Sequence, residues 1–404
     1  MGGFLSSARN WCLLATLLAG AASPLYCQEL RTREFLEAIG PGFTHLYALE
    51  YPEARAEFER LEQRFPEHPG PPLYLASAIW LQELFGREEL DLDKFIAPGY
   101  FTEKTERRMP AAELELFRER IERSRRLSEQ ILAKDPRHIE ARYFLGAVYG
   151  IEGAFAMTIE RSLQDAFRFG KKAYQYQLQI VEEDPDFADA YMSVGLYEYV
   201  VGSLPWYIKW LATIIGYRGS KERGFEYLAR AAERATFVAD DSRVLQMVLF
   251  VRENMNDRAL ANARLLHQKH PANFLLELNI AQLLERLGRL DEAVETYLAI
   301  ERKAVAGRPN YGKLPLPAFR LQVGRRLLGW NRLQEAREIL DRALADPSAG
   351  PRQRALSLLT RGKVLDRLGQ REAAVADYQA VLALPDFEGS HKEAREGVRR
   401  PWRQ

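Results

Sequence analysis

Three stretches of this chain set one small residue a fixed twelve positions before another, and that spacing constrains the fold more than any other feature. In FLLELNIAQLLERLGRLDEAVETYLAIE, residues 274–301, Ala281 precedes Ala293; in LQVGRRLLGWNRLQEAREILDRALADP, Gly324 precedes Ala336; in LTRGKVLDRLGQREAAVADYQAVLALP, Gly362 precedes Ala374. Leu284, Leu327 and Leu365 hold equivalent places, as do Tyr297, Leu340 and Tyr378. Apolar residues recur at helical spacing and almost nowhere alternate with period two. Two antiparallel helices approach closely only where side chains are small, so each stretch predicts a helical hairpin. The turn between the helices needs a residue that accepts positive φ, which Gly288, Asn331 and Gly369 supply. Pro347 and Pro385 then stop the second helices.

Earlier units follow a looser version of the pattern. Tyr51-Pro52-Glu53-Ala54 opens a helix that closes at Phe65-Pro66, and others end at Asp135-Pro136, Asp184-Pro185 and Pro271. YFLGAVY (143–149) and YMSVGLYEY (191–199) read as first helices, with Gly146 and Gly195 at the close-packing position. The chain therefore predicts an all-α fold of roughly seven or eight hairpins over residues 36–385. The array resembles the tetratricopeptide repeat, which implies a right-handed superhelical solenoid of stacked hairpins.

The spacing rule breaks twice. Gly146 to Ala173 spans 27 positions and Gly195 to Gly224 spans 29, so two adjacent units carry apolar insertions, at about 151–169 and 200–219. The second contains GSLPWYIKWLATIIGYRG, residues 202–219. Pro205 suits a first helical turn, Tyr207, Trp210, Leu211 and Ile214 form a stripe, and Leu204 and Trp206 extend the apolar edge. Leaving such a helix bare in water forgoes on the order of 10 kcal/mol, and it is too short for a bilayer, which needs about 20 residues. Three covers are open: the neighbouring insertion with Phe155, Met157, Ile159, Leu163, Phe167 and Phe169, a partner protein, or a membrane interface. Residues 191–236 also resemble the signature of the tetratricopeptide repeat 39 and inclusion-body-clearance family. The matching residues are Ser203, Leu204, Pro205, Gly216, Tyr217, Gly219, Gly224, Phe225 and Leu228, with Ser220 where that family has an acidic residue. The resemblance implies a repeat with a built-in apolar hairpin.

Residues 1–27 read as a signal peptide: Arg9 gives a weak basic start, Trp11 to Ala22 an apolar run, and Gly20 to Ser23 small residues. Removal through Cys27 would take both cysteines, Cys12 and Cys27, and leave no disulfide or thiolate metal site. The mature chain is expected to be exported, in the periplasm or envelope. It divides into a degenerate repeat region, 28–236, which carries the insertions, and a regular array, 237–404.

A formal net charge of +1 argues against a dedicated nucleic-acid binder. Arg118, Arg120, Arg123, Arg125 and Arg126 alternate with glutamates and read as a solvated helix face. GRPNYGK (307–313) mimics a phosphate loop, but Leu314 stands where a magnesium-binding Ser or Thr belongs, and it reads as an inter-repeat loop. His267 and His270 lie at a helix end without evident further ligands. Asp241 or Ser242 is expected to cap the following helix. With no catalytic, metal or cofactor motif, the expectation is a non-catalytic scaffold without cofactor or small-molecule substrate, binding a protein or peptide in the cell envelope. Counting from the close-packing position, Asn279, Gln282, Gln322, Arg325, Thr360 and Lys363 line its groove. The alternative is a membrane-peripheral protein held by the apolar 203–217 segment.

Overall fold

The computed structural model describes residues 29–97, 108–204 and 219–403, and every regular element in them is helical. The first hairpin pairs α1 (Arg33–Tyr47) with α2 (Tyr51–Arg64). The second pairs α3 (Gly70–Gly86) with α5 (Ala111–Lys134), the short α4 (Leu92–Phe95) lying between them. Next come α6 (Ile139–Phe155) with α7 (Leu163–Glu183), and α8 (Tyr191–Gly202) with α9 (Lys221–Arg234). The regular hairpins are α10 (Ala239–Arg252) with α11 (Asn256–Lys269), α12 (Phe274–Arg286) with α13 (Leu290–Val305), α14 (Leu316–Gly329) with α15 (Leu333–Ala345), and α16 (Pro351–Arg367) with α17 (Arg371–Leu382). A last helix, α18 (Ser390–Arg399), packs on α16 and α17 as the first helix of a further unit would.

The expected close contacts are the ones that hold the hairpins. Ala281, Ala293, Ala336 and Ala374 are fully buried. Gly195 and Gly224 meet backbone to backbone: a Cβ on Gly195 would stand 2.9 Å from the Gly224 carbonyl oxygen. The turn residues Gly288, Asn331 and Gly369 have φ of +70°, +61° and +75°. The 151–169 stretch is helix for most of its length, as a prolongation of α6 through a π turn (Ala156–Glu160) and of the start of α7. Its Phe155 is buried and stacks on Phe117 of α5 with 4.1 Å between ring centroids, so it covers the preceding unit. Of the second apolar insertion, 200–219, residues 205–218 lie outside the described residues.

Two local expectations are corrected. α10 is not capped by Asp241 or Ser242, which lie inside its first turn. No side chain caps it; the amides of the turn that leads into it, those of Thr236, Phe237 and Val238, are taken by Asp189 of the preceding unit, at 3.1, 2.6 and 3.2 Å. The arginine-rich face of α5 is not merely solvated: Arg120 and Arg123 both pair with Glu62 of α2, at 3.1 and 2.7 Å, and Arg125 pairs with Glu152 of α6 at 2.6 Å.

The first hairpin reaches far beyond its sequence neighbours. At its entry, the Leu30 and Arg31 amides donate to Glu140 Oε2 at 2.5 and 3.2 Å, and the Arg31 side chain reaches Asp189 and Thr236. His68 Nε2 donates to the Leu30 carbonyl at 2.8 Å, its Nδ1 accepts from the Gly70 amide, and its ring stacks on Phe35. Burial lowers the His68 pKa to about 4. Phe237, in the turn before α10, sits against Phe35, Tyr74, Tyr143 and Phe144 at 6.0–6.5 Å. One turn residue thus joins α1, α3, α6 and α10.

At the far end of α1, Tyr47 donates to Asp241 at 2.7 Å and stacks on His270, and Asn273 donates to the Tyr47 carbonyl. Burial raises the Asp241 pKa to about 6, against the lowering effect of the Tyr47 hydrogen bond. The 307–313 loop spends its polar side chains within the chain. Lys313 donates to the Leu49 carbonyl at 2.7 Å and Asn310 to Glu50 at 2.9 Å, which ties the loop to the turn of the first hairpin. Leu49 itself is buried with φ +64°, a strained conformation for a branched side chain that this web of contacts holds in place.

Candidate functional site

The expected groove runs through two different environments. In the α12 unit the surface is already occupied by the chain's own N-terminal part. Asn279 and Gln282 are only 4% and 3% exposed. Gln282 donates to Asp91, in the loop after α3, at 3.2 Å, and Asp93 pairs with Arg286 and Arg326 at 2.8 and 2.9 Å. Gln282 therefore faces a contact within the chain, and Asn279 is buried on the same helix. Gln322 on α14 is exposed but lies off the cleft described next.

The last two hairpins leave an open cleft of about 280 Å³. Arg325 of α14 and Thr360 and Lys363 of α16 line it, together with Leu328, Leu356 and Leu359. These six residues come from the first helices of successive hairpins, so the repeat geometry itself brings the cations over an apolar floor. Thr360 is buried and spends its hydroxyl on the Leu356 carbonyl one turn back, at 2.7 Å, so it contributes shape rather than a free donor. Arg325 and Lys363 supply the charge.

Sequence reasoning missed the other half of this cleft. Glu388, Glu393 and Trp402 close its C-terminal side. Glu388 meets Arg325 at 3.3 Å and also pairs with Arg352; Glu393 pairs with Lys363. The Trp402 ring lies 5.6 Å from the Lys363 ammonium, and its amide donates to Asp366 at 2.7 Å. The available signal was the apolar spacing of Ala394, Gly397 and Val398, which continues the helical period beyond Pro385.

Of the apolar edge Leu204, Trp206, Tyr207, Trp210, Leu211 and Ile214, only Leu204 is among the described residues, where it is half-buried; the rest lie outside them. No helix among the described residues is long and apolar enough to cross a membrane. His270 of the expected histidine pair is engaged by Asp240 at 2.8 Å and by the Tyr47 ring.

Residues 278–300, the α12–α13 hairpin, match the family model described as the tetratricopeptide repeat. The array is of the tetratricopeptide-repeat type. Among solved structures, yeast Tom70 is 13% identical, with 88% of this chain and 86% of that chain covered and a TM-score of 0.31. A human IFIT1 dimer with m7Gppp-AAAA is 14% identical, covering 88% and 79% with a TM-score of 0.34. The Cut9 of an APC/C Cut9-Hcn1 hetero-tetramer is 13% identical, covering 89% and 82% with a TM-score of 0.29. No curated protein matches the chain. Tetratricopeptide arrays are scaffolds for protein interaction: each hairpin contacts its neighbours and the stack presents an extended surface.

Proposed function

We propose that this chain is a peptide- or protein-binding scaffold of the cell envelope that works through the cleft formed by its last two hairpins. The observation that carries the reading is the convergence of Arg325 and Lys363 above Leu328, Leu356 and Leu359. A cationic rim over an apolar floor suits an extended peptide that carries carboxylates beside an apolar side chain. The contacts of Asp91 with Gln282 and of Asp93 with Arg286 favour this cleft over the α12 surface. The envelope setting rests on the leader-like residues 1–27.

The test is a crosslinking pull-down from the native envelope fraction with wild type and an Arg325→Glu/Lys363→Glu variant. The reading predicts a partner recovered by wild type and lost by the variant, and unchanged recovery discards the cleft. Recovery of the chain in the cytosolic fraction of its own cells discards the envelope setting independently.

A further inference from the structure

The cleft carries its own answer to what fits it. Two carboxylates and an indole of this chain already sit on its cations. We infer that Glu388 and Glu393 are built-in occupants of the cleft, so that an acidic partner binds by displacing them and the C-terminal turn regulates access. This inference rests on the cleft reading above and deepens it.

Three observations support it. First, Glu388 sits in the left-handed region at φ +55°, directly before Gly389 at +75°. Glutamate rarely adopts this conformation, and glycine or asparagine would do so more easily. The gain from glutamate there is the reach of its carboxylate to Arg325 and Arg352 together. Strained backbone of this kind gathers at working sites.

Second, the ion pairs are not what holds α18 down. Ala394 is fully buried in the core of the last hairpin. Gly397 lies flat against Tyr378, where a Cβ would come within 2.6 Å of the ring. The Trp402 amide is fixed to Asp366, whose carboxylate also accepts from Arg371 and Tyr378. The acids can leave their partners while the helix stays seated.

Third, the Arg325 contact is exchangeable, and Glu393 on Lys363 is 47% exposed. Arg325 and Glu388 are 44% and 43% exposed as a pair, and such pairs are weak and screened by salt. The chain's own contacts also state the partner's chemistry: carboxylates spaced to meet Arg325 and Lys363, with an aromatic or apolar group beside them.

The experiment titrates three full-length proteins with a fluorescein-labelled peptide of one tryptophan followed by four glutamates, read by anisotropy. The proteins are wild type, Glu388→Gln/Glu393→Gln, and that variant with Arg325→Glu/Lys363→Glu added. Glu388→Gln alone, in an exposed turn, serves as a second opened form, and melting by circular dichroism checks that each is folded. The expected result is binding about three- to fivefold tighter in the opened double variant than in wild type, since the occupied fraction no longer taxes the affinity. The single variant falls between them, and the added charge reversals abolish binding. Equal affinity of wild type and both opened forms, lost on charge reversal, overturns the self-occupancy while sparing the cleft. Binding that survives charge reversal, or no binding in any form, overturns both.

Discussion

The two ends of the array are closed by different physics. At the N-terminal end, α1 is drawn into the body of the molecule by aromatic burial around Phe237 and by hydrogen bonds from Leu30, Arg31, His68 and Tyr47. At the C-terminal end, α18 covers the last hairpin with Ala394 and Gly397, and its acids reach back over the cleft through exposed ion pairs. The first closure is made of terms worth several kcal/mol when disturbed, and the second leaves terms of a few tenths in contact with solvent. The contrast teaches where a repeat array can exchange its own contacts for a partner's: at the end whose groove is held by screened charges.

The largest effect should come from Phe237→Ala, which empties the point where α1, α3, α6 and α10 meet. A loss of about 3–5 kcal/mol in denaturant unfolding is expected. A loss under about 1 kcal/mol would mean that the first hairpin is docked loosely and that the contrast between the ends is overdrawn.

Acid should act next, and at the N-terminal end. The His68 pKa is lowered to about 4 in the folded chain by burial, so protons bind the unfolded chain first. The stability it contributes is full above the ordinary histidine value of about 6.5 and is lost as pH falls toward 4, to the extent of about 3 kcal/mol. Asp241 acts in the opposite sense. Its folded pKa is raised to about 6, so the folded carboxyl takes its proton first and stability rises as pH falls through that value. The windows overlap. Asp241→Asn, which keeps an acceptor for Tyr47, isolates the histidine. In urea titrations from pH 7 to pH 4, that variant should lose about 3 kcal/mol more than the same variant with His68→Gln added.

Gly195→Ala tests a plain hairpin contact between the two ends. A methyl there would meet the Gly224 carbonyl at 2.9 Å and the Leu228 amide at 3.0 Å, so the helices must part. A cost of about 1–3 kcal/mol in thermal or denaturant unfolding is expected.

The smallest effect belongs to Glu388→Gln/Glu393→Gln, which should change unfolding by less than about 1 kcal/mol, with little remaining difference from wild type at high salt. A larger loss would mean that the acids hold α18 in place, and the two closures would then be alike.

The local part of this architecture was legible in the sequence. Each hairpin is written in nearby residues: the Ala281–Ala293 spacing, Gly288 at the turn, Pro347 after α15. The N-terminal closure was not, because it joins residues far apart whose types suggest something else. Nothing local to Asp91 and Asp93 marks them as cross-array partners, Lys313 belongs to a loop that mimics a phosphate site, and Phe237 lies in a turn. No period connects Tyr47 with Asp241 or Asn273, and only the sum of the rotations between units brings them together. The same limit split the candidate site. Arg325, Thr360 and Lys363 follow from helix phase, whereas the burial of Asn279 and Gln282 and the approach of Glu388 depend on chain beyond their own units.

Hydrogen exchange of the full-length chain, followed by mass spectrometry, tests the asymmetry of the ends most directly. Amides of α1 from Phe35 to Leu46 should open only with global unfolding, while those of α18 should exchange through a smaller local opening. Exchange of α1 as fast as that of α18 would contradict the account, because the first hairpin would then be a loose end and the array would not be closed by it.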